Sequence, residues 1–242
     1  MIDAHCHAGS FTNYFSGDHP AEKLVAQFDE TGVDCGVIAI LDTYDMVGAN
    51  DRALEICKAH PGRLHGYIYL NPNHLETAIE EFERRCKDPH FKGVKLHPAN
   101  DVYFPFLEGF NPLYERIAET GMPVLWHSGT PPNSHPLQIA CVARRFPNMP
   151  CILGHFALSD LSWECFPAAE LADNIYVDTT ANPLVIVMND WVKRFGAERM
   201  LWGSDFPFYS VAYEAQKLDH LGHSDAERAL IADGNARRLF GI

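Results

Sequence analysis

The 242-residue sequence predicts an α/β fold, a single (β/α)8 TIM barrel spanning 1–242. Three observations carry that expectation. Strand-like and helix-like segments alternate eight times, several of the strands are near-continuously apolar, and histidines or an acid recur where the strands end. The expected strands are Met1–His7, Asp34–Leu41, Leu64–Asn71, Phe91–His97, Pro123–His127, Cys151–His155, Ile175–Thr179 and Arg199–Asp205. Apolar residues at helical spacing fill the intervals, at Ala21–Thr31, Ala49–Ala59, Leu75–Cys86, Pro112–Thr120, Leu137–Phe146, Cys165–Ala172 and Leu184–Phe195. An eighth helix, Ala212–His220, follows the last strand. The tail Asp225–Phe240 reads as helix broken near Asp233 and Gly234, with Asn235 placed to cap a last turn.

Strands covered on both faces by helices read as apolar runs without alternation, which is the pattern here. Barrels of this kind run near about 250 residues. An open doubly wound sheet is the competitor, but the chain holds no G-x-G-x-x-G turn to give it a nucleotide site.

Composition narrows the partners. Apolar residues make up 47% and charged residues 21%, enough for one large core. A formal charge of −13 argues against nucleic acid, whose phosphates demand clustered Lys and Arg. The pairs Arg84-Arg85, Arg144-Arg145 and Arg237-Arg238 are scattered and read as solvated helix faces or C-termini. No apolar run is long enough to cross a membrane, and a strand beginning at Ile2 leaves no room for a leader. The seven cysteines are odd in number, dispersed and without a C-x-x-C pair, as thiols of a reducing compartment are. The cytoplasm is the expected location.

His5 and His7 lie two apart on the first strand, so both side chains point to one face, about 6–7 Å apart along the backbone. Two imidazoles so placed can converge on one ion, with about 2.0–2.1 Å to each nitrogen. The other strand ends supply Asp42, Asn71, Lys95, His97, His127, His155, Thr179 and Asp205. In a barrel this edge carries the loops that build active sites. Five histidines of the 13 in the chain, with Asp205, fall on it, which chance scattering does not produce. Asp42 and Asn71 read equally well as turn or cap residues.

Seven motifs then occur in order: I-D-A-H-C-H (Ile2–His7), G-V-K-L-H-P (Gly93–Pro98), L-W-H-S-G (Leu125–Gly129), I-L-G-H (Ile152–His155), N-I-Y-V-D-T-T (Asn174–Thr180), L-W-G-S-D-F-P (Leu201–Pro207) and G-N-A-R-R-L-F (Gly234–Phe240). The set resembles the amidohydrolase superfamily over essentially the whole chain, in the branch containing aminocarboxymuconate-semialdehyde and resorcylate decarboxylases. The resemblance implies one divalent metal, usually zinc, with His5, His7, His127 and Asp205 as ligands and His155 beside the metal-bound water. Three imidazoles and a carboxylate suit Zn2+ and leave a position open, and Mn2+ is the other candidate. Asp205 and His155 are then the catalytic acid–base groups, and Lys95 and His97 hold a small-molecule substrate. In two-metal members of the superfamily a strand-four lysine is carboxylated and bridges the ions. The simpler expectation for Lys95 is an unmodified ammonium.

Hydrolysis of an amide, ester or lactone is the first functional expectation. Non-oxidative decarboxylation of an aromatic or enoic acid on the same residues is the second, and a non-catalytic metal-binding scaffold the third. Long loops carrying Phe11, Tyr14, Phe15, Tyr103, Phe104, Phe106, Trp163, Phe208 and Tyr209 are expected to roof the site. Those aromatics also suit packing on one another or on the partner of a homodimer. No arginine lies at a strand end or in these loops, so an anionic substrate would depend on Lys95, the metal, or an arginine from elsewhere such as Arg52.

Overall fold

In a computed structural model, which describes residues 1–11, 17–221 and 224–242, eight parallel strands run in chain order round one sheet. They are β1 (Ile2–Cys6), β4 (Cys35–Ile38), β5 (Leu64–Tyr69), β6 (Phe91–Leu96), β7 (Val124–Trp126), β8 (Cys151–Leu153), β9 (Ile175–Asp178) and β10 (Met200–Leu201). Between β1 and β4 an antiparallel hairpin, β2 (Gly9–Phe11) with β3 (Gly17–His19), stands at the mouth where a plain loop was expected. Tyr14 and Phe15, and the side chain of Phe11, lie outside the described residues.

All eight sequence-predicted strands form, each shorter than expected at its C-terminal end. Of the trimmed residues, His7, His97, His127, His155 and Asp205 leave the ladder with their side chains lining the mouth, whereas Asn71 and Thr179 do not reach it. Almost every strand residue is buried, as a sheet sandwiched between a filled interior and a helical layer requires. The largest fully buried side chains include Trp126, Trp191, Trp202, Tyr67, Tyr69 and Tyr114. Burying one such ring is worth about 1.5–3 kcal/mol or more.

Closure of the barrel is made by single hydrogen bonds between β1 and the segment after the two-residue β10. Ala4 N donates to Trp202 O at 3.0 Å, Asp205 N to His5 O at 2.7 Å and His7 N to Phe206 O at 2.7 Å. Asp3, fully buried, accepts from Ser204 N at 2.9 Å, from Ser204 Oγ at 2.5 Å and from His5 N at 3.1 Å. Gly203 is required at this seam: a Cβ there would lie 2.8 Å from Thr180 Cγ2 and 2.9 Å from His5.

The C-terminal segment corrects one expectation. Asp225–Ala229 and Asn235–Phe240 are joined by a wider π turn, Leu230–Gly234, instead of a break. Asn235 is itself helical and does not cap. Its amide donates to Ala197 O and Met200 O, both at 2.7 Å, pinning this segment to the base of β10. Phe240, buried, packs edge-on against Tyr67, with 5.8 Å between ring centres.

Two variants test this construction. Deleting Met1–His7 removes a strand and with it one side of the seam, and should abolish soluble, cooperative folding; a soluble truncation with a sharp melt would refute the closed barrel. Asn235→Ala should lower unfolding free energy in urea by about 1–3 kcal/mol, because two buried carbonyls lose their donor.

Candidate active site and metal centre

The strand ends open into a cavity of about 790 Å³. His5, His7, Lys95, His97, His127, His155 and Asp205 line its floor, and Leu41, Ala99, Leu158, Pro207, Phe208 and Tyr209 supply its apolar walls. Each residue predicted for the site therefore reaches one place.

Within it, His5, His7 and Asp205 bring one ligand atom each to within 4.8 Å of one another. His7 Nε2 lies 3.4 Å and His5 Nε2 3.7 Å from Asp205 Oδ1. The outer ring nitrogens fix the tautomers. His7 Nδ1 lies 2.8 Å from Ala39 O, which only accepts, so Nδ1 carries the proton. His5 Nδ1 lies 2.7 Å from the Asp178 carboxylate and donates to it in the same way. Both rings thus turn an Nε2 lone pair towards Asp205, the donor arrangement that a divalent cation requires. Two imidazoles and a carboxylate, oriented by a carbonyl and a second carboxylate, fit such an ion.

His127 stands beside this trio. Its Nδ1 is 3.0 Å from His155 Nε2 and its Nε2 is 2.8 Å from Thr130 Oγ1. Its ring stacks on His97 at 4.0 Å between centres and 9° between planes. His97 Nδ1 accepts from Asn100 N at 3.1 Å, which leaves the proton on Nε2 and caps the short helix Pro98–Asp101. Lys95 Nζ sits 3.0 Å from His5 Nε2.

Burial sets the charges. It lowers His5, His97 and His155 well below the usual histidine range, with help from neighbouring His and Lys95. His127 is pushed down to about 3, first by burial and then by Lys95. These rings are neutral at pH 7. Lys95 is lowered to about 8 by burial, against the pull of Asp205 and Asp178. Burial raises the Asp205 carboxyl, opposed by the neighbouring His7.

Asp178 and Thr180 escaped the sequence reading, which took Thr179 from this strand end. Asp178 is fully buried. One of its oxygens takes His5 Nδ1, and the other takes His155 N at 2.7 Å, Thr180 N at 3.1 Å and Thr180 Oγ1 at 2.5 Å. Thr180 Oγ1, its own proton given to Asp178, lies 3.2 Å from His155 Nδ1. An ionisable residue inside an apolar strand, ending at the histidine-bearing edge, was the available signal.

His155 opens a strained turn. His155, Phe156, Ala157 and Leu158 have φ of 63°, 45°, 56° and 54°. Left-handed backbone costs a residue with a Cβ about 1–2 kcal/mol, so the surroundings must hold it there. Gly129 makes room, since a Cβ on it would lie 2.2 Å from Ala157 O.

The expected aromatic roof is thinner than the sequence suggested. Phe208 and Tyr209 line the cavity. Tyr103 packs on Phe110 and Trp163 on Phe166, while Phe104 and Phe106 pair at the surface. Arg52 is held by Asp42 and Asp45 outside the cavity lining. Asp42 and Asn71 serve as turn and cap residues, accepting from the backbone N–H of Tyr44, Asp45 and Asn73.

The amidohydrolase family model matches residues 2–242. The chain belongs to that family. Among curated relatives, the gamma-resorcylate decarboxylase of Polaromonas sp. (strain JS666 / ATCC BAA-500) is 23% identical over 277 residues, covering 93% of this chain and 85% of the relative. That of Rhizobium sp. (strain MTP-10005) is 22% identical, covering 80% and 75%. The 5-carboxyvanillate decarboxylase structure from Sphingomonas paucimobilis superposes with a TM-score of 0.79 at 19% identity, covering 100% of this chain and 99% of that one. The Polaromonas sp. JS666 dihydroxybenzoic acid decarboxylase, solved with manganese and 2-nitroresorcinol, gives 0.76 at 17%, covering 100% and 97%. At such identities the superpositions establish the fold. No helix among the described residues is long and apolar enough to cross a membrane.

The trio is expected to take about one divalent ion per chain. Calorimetric titration with Mn2+ or Zn2+ should show tight binding to the intact protein and to His60→Ala, and loss of it in His5→Ala and Asp205→Asn. Equal binding by all four proteins would reject the site.

Proposed function

We propose that this amidohydrolase-family protein is a metal-dependent, non-oxidative decarboxylase of a small aromatic acid. The observation that carries the reading is the convergence of His5 Nε2, His7 Nε2 and Asp205 at the floor of a cavity with apolar walls, in a chain whose curated relatives are gamma-resorcylate decarboxylases. Hydrolysis was the first expectation from sequence. It yields to decarboxylation because those relatives and the superposed benzoate-type enzymes share that chemistry while using the same fold.

His5, His7 and Asp205 would hold the ion, with the neighbouring His127 as the further ligand implied by the family resemblance. When bound, it supplies a Lewis acid that withdraws charge from substrate oxygens. Manganese accompanies the Polaromonas neighbour. Zinc, the metal first expected, fits the same donors.

The chain's own groups do the rest. Leu41, Leu158, Phe208 and Tyr209 take the ring face and exclude water. Lys95 offers the cavity's lysine ammonium, and His97 offers a neutral Nε2–H donor, to the carboxylate and its neighbouring oxygen. Loss of CO2 leaves the bonding pair on the ring carbon, which must then take a proton. Asp205, whose carboxyl is raised by burial, and His155, with Nδ1 3.9 Å from Asp205 Oδ2, are the groups that hold and deliver it.

Manganese-loaded protein incubated with 2,6-dihydroxybenzoate should release CO2. Turnover should fall about 100-fold or more in His155→Ala, the loss expected for a missing acid–base group, and at least as far in Asp205→Asn, which forfeits the metal as well. His155→Ala should keep its metal. Cleavage of aryl esters or lactones by the same preparation, with no CO2 from any hydroxybenzoate, would return hydrolysis to first place.

A further inference from the structure

We propose that Asn182, a residue outside the metal trio, is the positioning residue for His155. The inference rests on the reading of His155 as a proton-handling group.

The turn after β8 places His155 at the cavity floor and Leu158 in its wall within four residues. His155, Phe156 and Ala157 sit in the left-handed basin, and Leu158 has φ 54° and ψ 179°, a region that side chains with a Cβ scarcely visit. Such a turn relaxes unless its carbonyls and amides are held from outside.

Asn182 holds them. It is almost wholly buried. Its Oδ1 accepts from Leu184 N at 2.9 Å, which fixes the amide's orientation. Nδ2 therefore points at the turn, donating to His155 O at 3.0 Å, to Phe156 O at 3.3 Å and to Ser162 Oγ at 2.9 Å. Ser162 in turn donates to Leu158 O at 2.5 Å. One side chain thus secures, directly or through Ser162, three of the four carbonyls in the turn. Asp178 takes the His155 amide from the other side.

Asn182 is anchored in its own right. Lys217 Nζ donates to Asn182 O at 3.2 Å and to Thr179 O at 2.6 Å, fastening the segment after β9 to the helix Val211–Gln216 and the turn that follows it. The position of His155 is therefore set largely by the neighbouring strand and its loop. Asn182 touches neither the cavity nor the trio, so it acts through His155.

Two variants separate positioning from mere stability. Asn182→Ala removes the donors. Asn182→Leu removes them while filling the same space, and serves if the alanine form unfolds. In manganese-loaded enzyme acting on 2,6-dihydroxybenzoate, kcat should fall about 10–100-fold, the scale of a misplaced reacting group. KM and manganese content should change little. The same substitution in a His155→Ala background should cost nothing further. A second readout needs neither metal nor turnover: the His155 ring resonances in 15N-edited NMR should move, while those of His60 stay in place. A full additional loss in the His155→Ala background, or unmoved His155 resonances, would overturn the assignment. If His155→Ala alone leaves turnover intact, the proton-handling role of His155 fails instead, and the NMR comparison still decides whether Asn182 places the ring.

Discussion

One buried carboxylate organises the mouth of this barrel. Asp178 accepts from the His5 ring, the His155 amide and both donors of Thr180. An anion with no exposed surface is costly to bury, and is tolerated only when donors surround it. Here every donor belongs to a residue of the site. Satisfying the carboxylate and aiming the site are consequently the same requirement. His5 cannot rotate without leaving the charge short of a bond, and the His155 backbone cannot relax from its left-handed geometry without doing likewise.

From that fixed point the remaining charges follow in order. With Nδ1 of His5 committed to Asp178 and Nδ1 of His7 to Ala39, the two Nε2 atoms face inwards. Burial keeps the rings of His97, His127 and His155 neutral, so the floor offers lone pairs and N–H donors without a crowd of positive charge. Burial brings Lys95 down to about 8 and raises the Asp205 carboxyl beside it. Neutral imidazoles can accept a cation, whereas the same rings charged would repel it.

Much of this was legible in the sequence, and the reasons are physical. Strands buried on both faces must be apolar, so the runs from Ile2 to Leu201 marked themselves. Barrel active sites form at one edge, so His5, His7, Lys95, His97, His127, His155 and Asp205 announced their neighbourhood by position alone. Other features gave no such sign. The segments Gly9–Phe11 and Gly17–His19 are too short and too polar to show the alternation by which hairpins are recognised. Asn235 has the composition of a cap, but its partners lie 35 and 38 residues away. Asn182 likewise looks like an ordinary loop residue, because its function depends on carbonyls 26 and 27 positions earlier. The choice between hydrolysis and decarboxylation was illegible because both use the same strand-end residues.

The seam between β1 and the segment after β10 gives the site an unusual dependence on the order of synthesis. Asp3 and Ser204, which close it, stand 201 residues apart, and the metal trio straddles the same join, His5 and His7 on one side and Asp205 on the other. A growing chain therefore carries the two histidines about 200 residues before it acquires the carboxylate. Until the last strand docks, the two histidines and the carboxylate cannot converge. The trio is complete only with topological closure, so a chain stalled short of that join lacks it however much of its barrel has formed.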